Sequence, residues 1–133
     1  MSGNAVRGIE ILNQVLRNNP RDPYRSTVLS NLSLAFFQAK DYVKGLTWGM
    51  TCISESPNLA ATQMILAMNY GGLGEIEKAK TALEAARRLA PGLIESRLEG
   101  DTSFRNPNDQ NRQKVFLRIA AGLEDPSAAD ALR

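Results

Sequence analysis

The chain is cut at regular intervals by residues that stop helices, and this spacing limits its fold more than any other feature. Breaks fall at Asn19-Pro20-Arg21-Asp22-Pro23, Lys40-Asp41, Ser56-Pro57-Asn58, Gly71-Gly72-Leu73-Gly74, Ala90-Pro91-Gly92 and Asn106-Pro107-Asn108, which are turn and cap residues of helical proteins. Between the breaks, apolar residues recur three and four apart: Ile9, Leu12, Val15 and Leu16, then Val28, Leu29, Leu32 and Phe36, then Val43, Leu46, Met50 and Ile53. That is the period of amphipathic helices. No stretch alternates polar and apolar residues between hairpin turns, so strands are not expected. Pro57 and Pro91 stand 34 positions apart, which predicts a helix-turn-helix unit used more than once. The expected architecture is all-α, a solenoid of antiparallel helix pairs. It has a half unit over 5–20, full units over 24–57 and 58–91, capping helices over 92–123 and a tail over 124–133.

Within the unit ending at Pro91, Leu66, Ala67 and Tyr70 fall on a first helix and Gly74 turns the chain. Ala79, Leu83 and Ala86 then fall on a second helix. Small residues let two helices approach and the larger ones fill the space between them. In period, order and residue type this resembles the tetratricopeptide repeat. The preceding unit repeats the scheme with Leu29, Leu32 and Phe36, the turn Lys40-Asp41, and Gly45, Gly49 and Cys52. It departs from the repeat pattern at Gly45, where alanine is usual, and at Gly49, where a bulky residue is usual. Two interior glycines cost a helix about 1 kcal/mol each relative to alanine. Close packing by another helix, or by the Trp48 indole, is the expected compensation. Gly8, Leu12, Val15 and Pro20 read as the second helix of a unit whose first helix would precede residue 1. A helix without that partner shows its apolar stripe; self-association through the half unit is therefore an expectation.

Downstream, Gly92-Leu93-Ile94-Glu95-Ser96-Arg97-Leu98 is followed by Phe104-Arg105-Asn106-Pro107-Asn108-Asp109 and by a helix closing on Ile119-Ala120-Ala121-Gly122-Leu123. This is similar to the C-terminal tetratricopeptide segment of bacterial class III adenylate/guanylate cyclases. The resemblance covers about residues 5–123. It implies a regulatory or scaffolding role in a bacterial signalling protein. It transfers no catalytic residue, because nothing here resembles the cyclase domain with its paired metal-binding aspartates. A free-standing adaptor of the same repeat class is the second reading, and a small enzyme the third.

Composition narrows the chemistry. Histidine is absent and Cys52 is the single cysteine, so Ser-His-Asp and Cys-His mechanisms, histidine ligation of metals and an internal disulfide are all excluded. No cofactor or metal site is expected. Glu75, Glu77, Glu95, Glu99 and Asp101 fall at helix starts or on solvated faces. The Gly71–Gly74 run has neither the preceding strand nor the Lys-Ser/Thr of a phosphate loop. Cys52 stands at a small-residue packing position, the setting of an inert thiol. Sixteen basic against 14 acidic residues give a net charge of +2, too weak a field for nucleic acid or an anionic membrane. Arg87, Arg88, Arg97, Arg105, Arg112, Lys114 and Arg118 are offset by interleaved acids. No apolar run is long enough to span a bilayer, and the first residues lack the apolar core of a signal peptide. A cytoplasmic setting is expected.

In tetratricopeptide arrays the first helix of each unit lines a concave trough. The resemblance therefore implies a partner groove formed by Thr27, Asn31, Leu34, Phe37, Gln38, Met64, Ile65 and Met68, with Ser30 and Ala61 beside them. Methionine and aromatic groups suit the apolar face of a partner protein or peptide helix. The rival occupant is internal: the closing helix, with Val115, Phe116, Leu117, Ile119 and Leu123, caps the solenoid or folds back into the trough. Lysines and asparagines do not cluster as a carboxylate clamp would require.

Overall fold

A computed structural model describes the backbone of residues 3–133, with side chains from Val6 onward. The first residues, read above for a signal peptide, lie partly outside the described residues. The regular elements of the described chain are all helices: α1 (Gly3–Asn18), α2 (Arg25–Gln38), α3 (Tyr42–Glu55), α4 (Ala60–Gly72), α5 (Ile76–Leu89), α6 (Pro91–Leu98) and α7 (Pro107–Ala120). A 3-10 helix, Pro126–Leu132, follows. Each of α1 to α5 packs on the next, α2 also meets α4, and α7 lies along α4 with α5 and α6 beside it.

The backbone itself repeats. α3 and α5 each span 14 residues, and their bounds differ by 34 positions at both ends. The turns before them are equivalent. After α2, the Lys40 and Asp41 amides donate to the carbonyls of Phe37 and Phe36; after α4, those of Gly74 and Glu75 donate to Gly71 and Tyr70. This paired closure needs a left-handed residue, which is Gly74 in one turn (φ 75°) and Lys40 in the other (φ 61°). At the far ends, Ser56 (φ −142°, ψ 81°) and Ala90 (φ −150°, ψ 75°) donate to Cys52 and Ala86. Both precede a proline, which forces them out of helical geometry.

The glycines of α3 mark a tight helix crossing. A Cβ on Gly45 would lie 2.6 Å from Asn69 Cγ, and one on Gly49 would lie 2.6 Å from Leu66 Cδ2 and 3.0 Å from Ser33 Oγ. Side chains of α4 and α2 therefore lie directly on the α3 backbone. The Ser33 hydroxyl donates to the Gly45 carbonyl at 2.6 Å, and Asn69 Nδ2 donates to the Ile65 carbonyl at 3.2 Å. Trp48 points elsewhere, packing with Ile9, Leu12, Val15 and Leu16 of α1 around Val28, Leu32 and Phe36. The compensation for the glycines is thus the neighbouring helices and not the indole.

The main core runs from Phe37 through Met64–Met68, Ala79–Ala86, Ile94 and Leu98 to Phe116–Ala120 and Ala129. The stretch 124–133, expected as a tail, instead forms the 3-10 helix, with Ala129 fully buried. Asp125 caps it by accepting from the Ser127 amide at 2.9 Å.

Candidate functional site

The eight residues expected along the trough fall into three groups. Thr27 and Asn31 are exposed and border an open cleft of about 310 Å³ with Ser26, Ser30, Leu59 and Ala61. Leu34 is half-buried against the core, and half-buried Gln38 donates to Asp109 at 3.3 Å. Phe37, Met64, Ile65 and Met68 are buried in the core. These four cannot meet a partner in this arrangement, which corrects the expectation of an open groove along its whole length. The physical reason is α7, the internal occupant. Its Phe116 ring stands edge-on to Phe37 at 5.8 Å, and its Gln113 reaches Met68 Sδ at 3.9 Å. Burying Phe116, Leu117 and Ile119 stabilises this seat by about 2 kcal/mol each.

Arg112 holds the N-terminal half of α7. Its Nη2 donates to the Phe37 carbonyl at 2.9 Å and to the Tyr42 hydroxyl at 2.8 Å. Nη1 meets Asp109 Oδ1 at 3.3 Å, and Nε donates to the Leu132 carbonyl at 3.3 Å. The guanidinium also stacks 4.2 Å from the Phe37 ring centroid, a cation–π geometry. Arg112, counted above only among the cations offset by interleaved acids, is buried, and the carbonyls at the end of α2 are its natural partners. Asp109, Arg112, Gln113, Phe116, Leu117 and Ala120 follow the three-four spacing of one helix face, a signal that places Arg112 and Gln113 on the apolar side. Phe104 enters the same cluster, its ring 6.3 Å from Phe37.

A second concave surface lies on the other face of α4, since positions two apart on a helix point in nearly opposite directions. Leu66 and Tyr70 of α4, Ile53 of α3, and Ala82 and Ala85 of α5 line a groove of about 460 Å³, edged by Gln63, Glu77, Lys78 and Arg88. Spacing alone assigned Leu66, Tyr70 and Ile53 to packing, and nothing in it distinguished a filled crossing from an open one.

No protein-family model and no curated protein sequence matches the chain. Among the described residues, no three carboxylate or thiol side chains come together as metal ligands, and no helix is long and apolar enough to cross a membrane. Apart from the Arg112–Asp109 pair, the charge-bearing contacts are peripheral. Arg25 Nε and Glu55 Oε1 pair at 2.7 Å between the start of α2 and the end of α3; hydrogen bonding holds the Glu55 carboxyl below its ordinary value and Arg25 above its own. Lys78 is likewise raised by its hydrogen bond to Glu75. Cys52 is fully buried, its thiol 3.3 Å from the Ser26 carbonyl and 3.5 Å from Thr62 Oγ1.

Proposed function

We propose that the chain is a tetratricopeptide-like protein-binding module whose trough accepts an amphipathic helix. One observation carries this reading: the surface expected to take such a helix already holds one, α7, seated through Phe116 and Leu117 on Phe37 and the α4 face. The 34-residue recurrence of helix bounds, left-handed turns and pre-proline caps supports the repeat class. Small residues at the helix crossings, Gly45, Gly49, Ala67, Ala79 and Ala86, support it too. A near-neutral, histidine-free surface suits a protein or peptide partner better than a polyanion.

The module serves as the C-terminal regulatory part of a bacterial adenylate cyclase-like signalling protein working in the cytoplasm, with catalysis in another domain. The Phe104–Asp109 turn and the helix closing near Gly122-Leu123 support this origin. In that turn Asn106 caps α7 by accepting from the Asn108 amide at 2.8 Å. An antibody to this segment, used to recover the native polypeptide from its source cells for mass spectrometry, tests the assignment. The expected result is a chain much heavier than 14.6 kDa whose upstream peptides belong to a cyclase domain. A mass near 14.6 kDa removes the cyclase origin and makes the protein a free-standing adaptor.

A further inference from the structure

We infer that α7 and the 3-10 helix after it form a displaceable self-ligand, which leaves the trough as a unit while α2 to α5 stay folded. The inference rests on the trough being the partner site and adds its regulation: a partner helix must compete with α7.

Three features of the seat favour release. The first is charge. The counter-ion of Arg112 is Asp109, three residues earlier on the same helix, and the Leu132 carbonyl that it also meets belongs to the same segment. The ion pair therefore departs intact, and no unpaired charge is stranded in the body. What stays behind is neutral: the Phe37 carbonyl and the Tyr42 hydroxyl, with the Gln38 amide that met Asp109 and the Gly71 carbonyl that met Arg133, all of which water can satisfy.

The second feature is Gln113. It is buried, its Oε1 has no partner, and its Nε2 has only the Met68 sulfur at 3.9 Å. A buried amide whose oxygen has no partner and whose nitrogen has only a weak one opposes docking and is rehydrated on release. The third is independence of the body. The contacts that join α2, α3 and α4, namely Ser33 with Gly45, Asn69 with Ser33, and Leu66 over Gly49, use no atom of α7. Residues 99–106 link α6 to α7 outside either helix. The apolar contacts of Phe116, Leu117 and Ile119 keep the closed state dominant, so the open state is a minor one.

Hydrogen exchange followed by mass spectrometry on the whole 133-residue chain tests this. The expected result is that 107–120 and 126–132 exchange together through openings about tenfold or more as frequent as those of α4 and α5. Gln113→Leu, which removes the unpartnered amide, is expected to slow that exchange about tenfold and leave α4 unchanged; Gln113→Met gives the same test should the leucine variant not fold. An excess of free peptide with the sequence of 105–133 is expected to enter the trough and accelerate exchange of the tethered α7. An α7 that exchanges in step with α4 and α5, or one loosened by Gln113→Leu, overturns the self-ligand while leaving protein binding through other faces. Independent opening with no effect of the peptide overturns the trough as a helix-binding site, the reading underneath.

Discussion

At the scale of single residues, the glycines separate packing from propensity. Gly8 on α1 has open space where a Cβ would go, whereas Gly45 has the side chain of Asn69, anchored to Ile65, at 2.6 Å. Gly8→Ala is expected to raise the unfolding free energy by about 0.5–1 kcal/mol through helix propensity. Gly45→Ala gains the same propensity but forces Asn69 out of place, and is expected to lower stability by about 1–2 kcal/mol net. Urea denaturation of the two variants reads both signs. Arg112→Ala leaves Tyr42 and Asp109 without their partner in a buried site and is expected to cost about 3 kcal/mol. Arg112→Lys is expected to recover less than half of that, because a lysine has no planar fork to serve four acceptors and a ring face together. The small residues at the crossings were legible in the sequence. The partners of Gly45 were not, since spacing says that something must come close without saying which side chain does.

At the scale of elements, the turns after α2 and α4 are the same device built from different residues. Lys40 pays a left-handed penalty that glycine avoids, so Lys40→Gly is expected to stabilise the chain by about 0.5–1 kcal/mol, measured as a shift in urea midpoint. The 3-10 helix clamps α7 through its C-terminal end: the Leu132 carbonyl accepts from Arg112, and Arg133 Nε donates to the Gly71 carbonyl at 3.1 Å.

 Ala129 itself is fully buried beneath it. Truncation after Asp125 is therefore expected to cost about 2 kcal/mol and to loosen α7 before α4, read by urea denaturation together with hydrogen exchange. Helix number and most boundaries were legible, because apolar periodicity and proline-glycine punctuation act locally. The seat of α7 was legible only as one of two alternatives. Periodicity marks a face as apolar, but whether a partner or the chain itself covers that face is decided by contacts distant in sequence. The 3-10 helix escaped because seven residues are too few to show a period.

At the scale of the molecule, the ionisable groups predict how stability follows pH. Glu55 and Asp125 have carboxyls held below their ordinary values of 4.5 and 3.8, Glu55 by Arg25 and Asp125 by Ser127. Groups with lowered values add stability above their ordinary range and lose it as pH falls through the folded value. The denaturation midpoint is therefore expected to fall below about pH 4.5, and less steeply in high salt, where the exposed Arg25–Glu55 pair is screened. Arg25 and Lys78, both raised, act in the opposite direction and only in strong alkali. Between about pH 6 and 8 the midpoint is expected to stay nearly flat, since the chain has no histidine to titrate there.

Function at this scale depends on whether the trough meets a protein in the cell. A photoreactive amino acid placed at Asn31, exposed at the open end of the trough, and separately at Glu84, exposed on α5, puts that question directly. A helix-binding module should yield a covalent adduct with one defined protein from Asn31 and none from Glu84. No protein adduct from Asn31, or the same adducts from both positions, would contradict the assignment of the trough as a partner site.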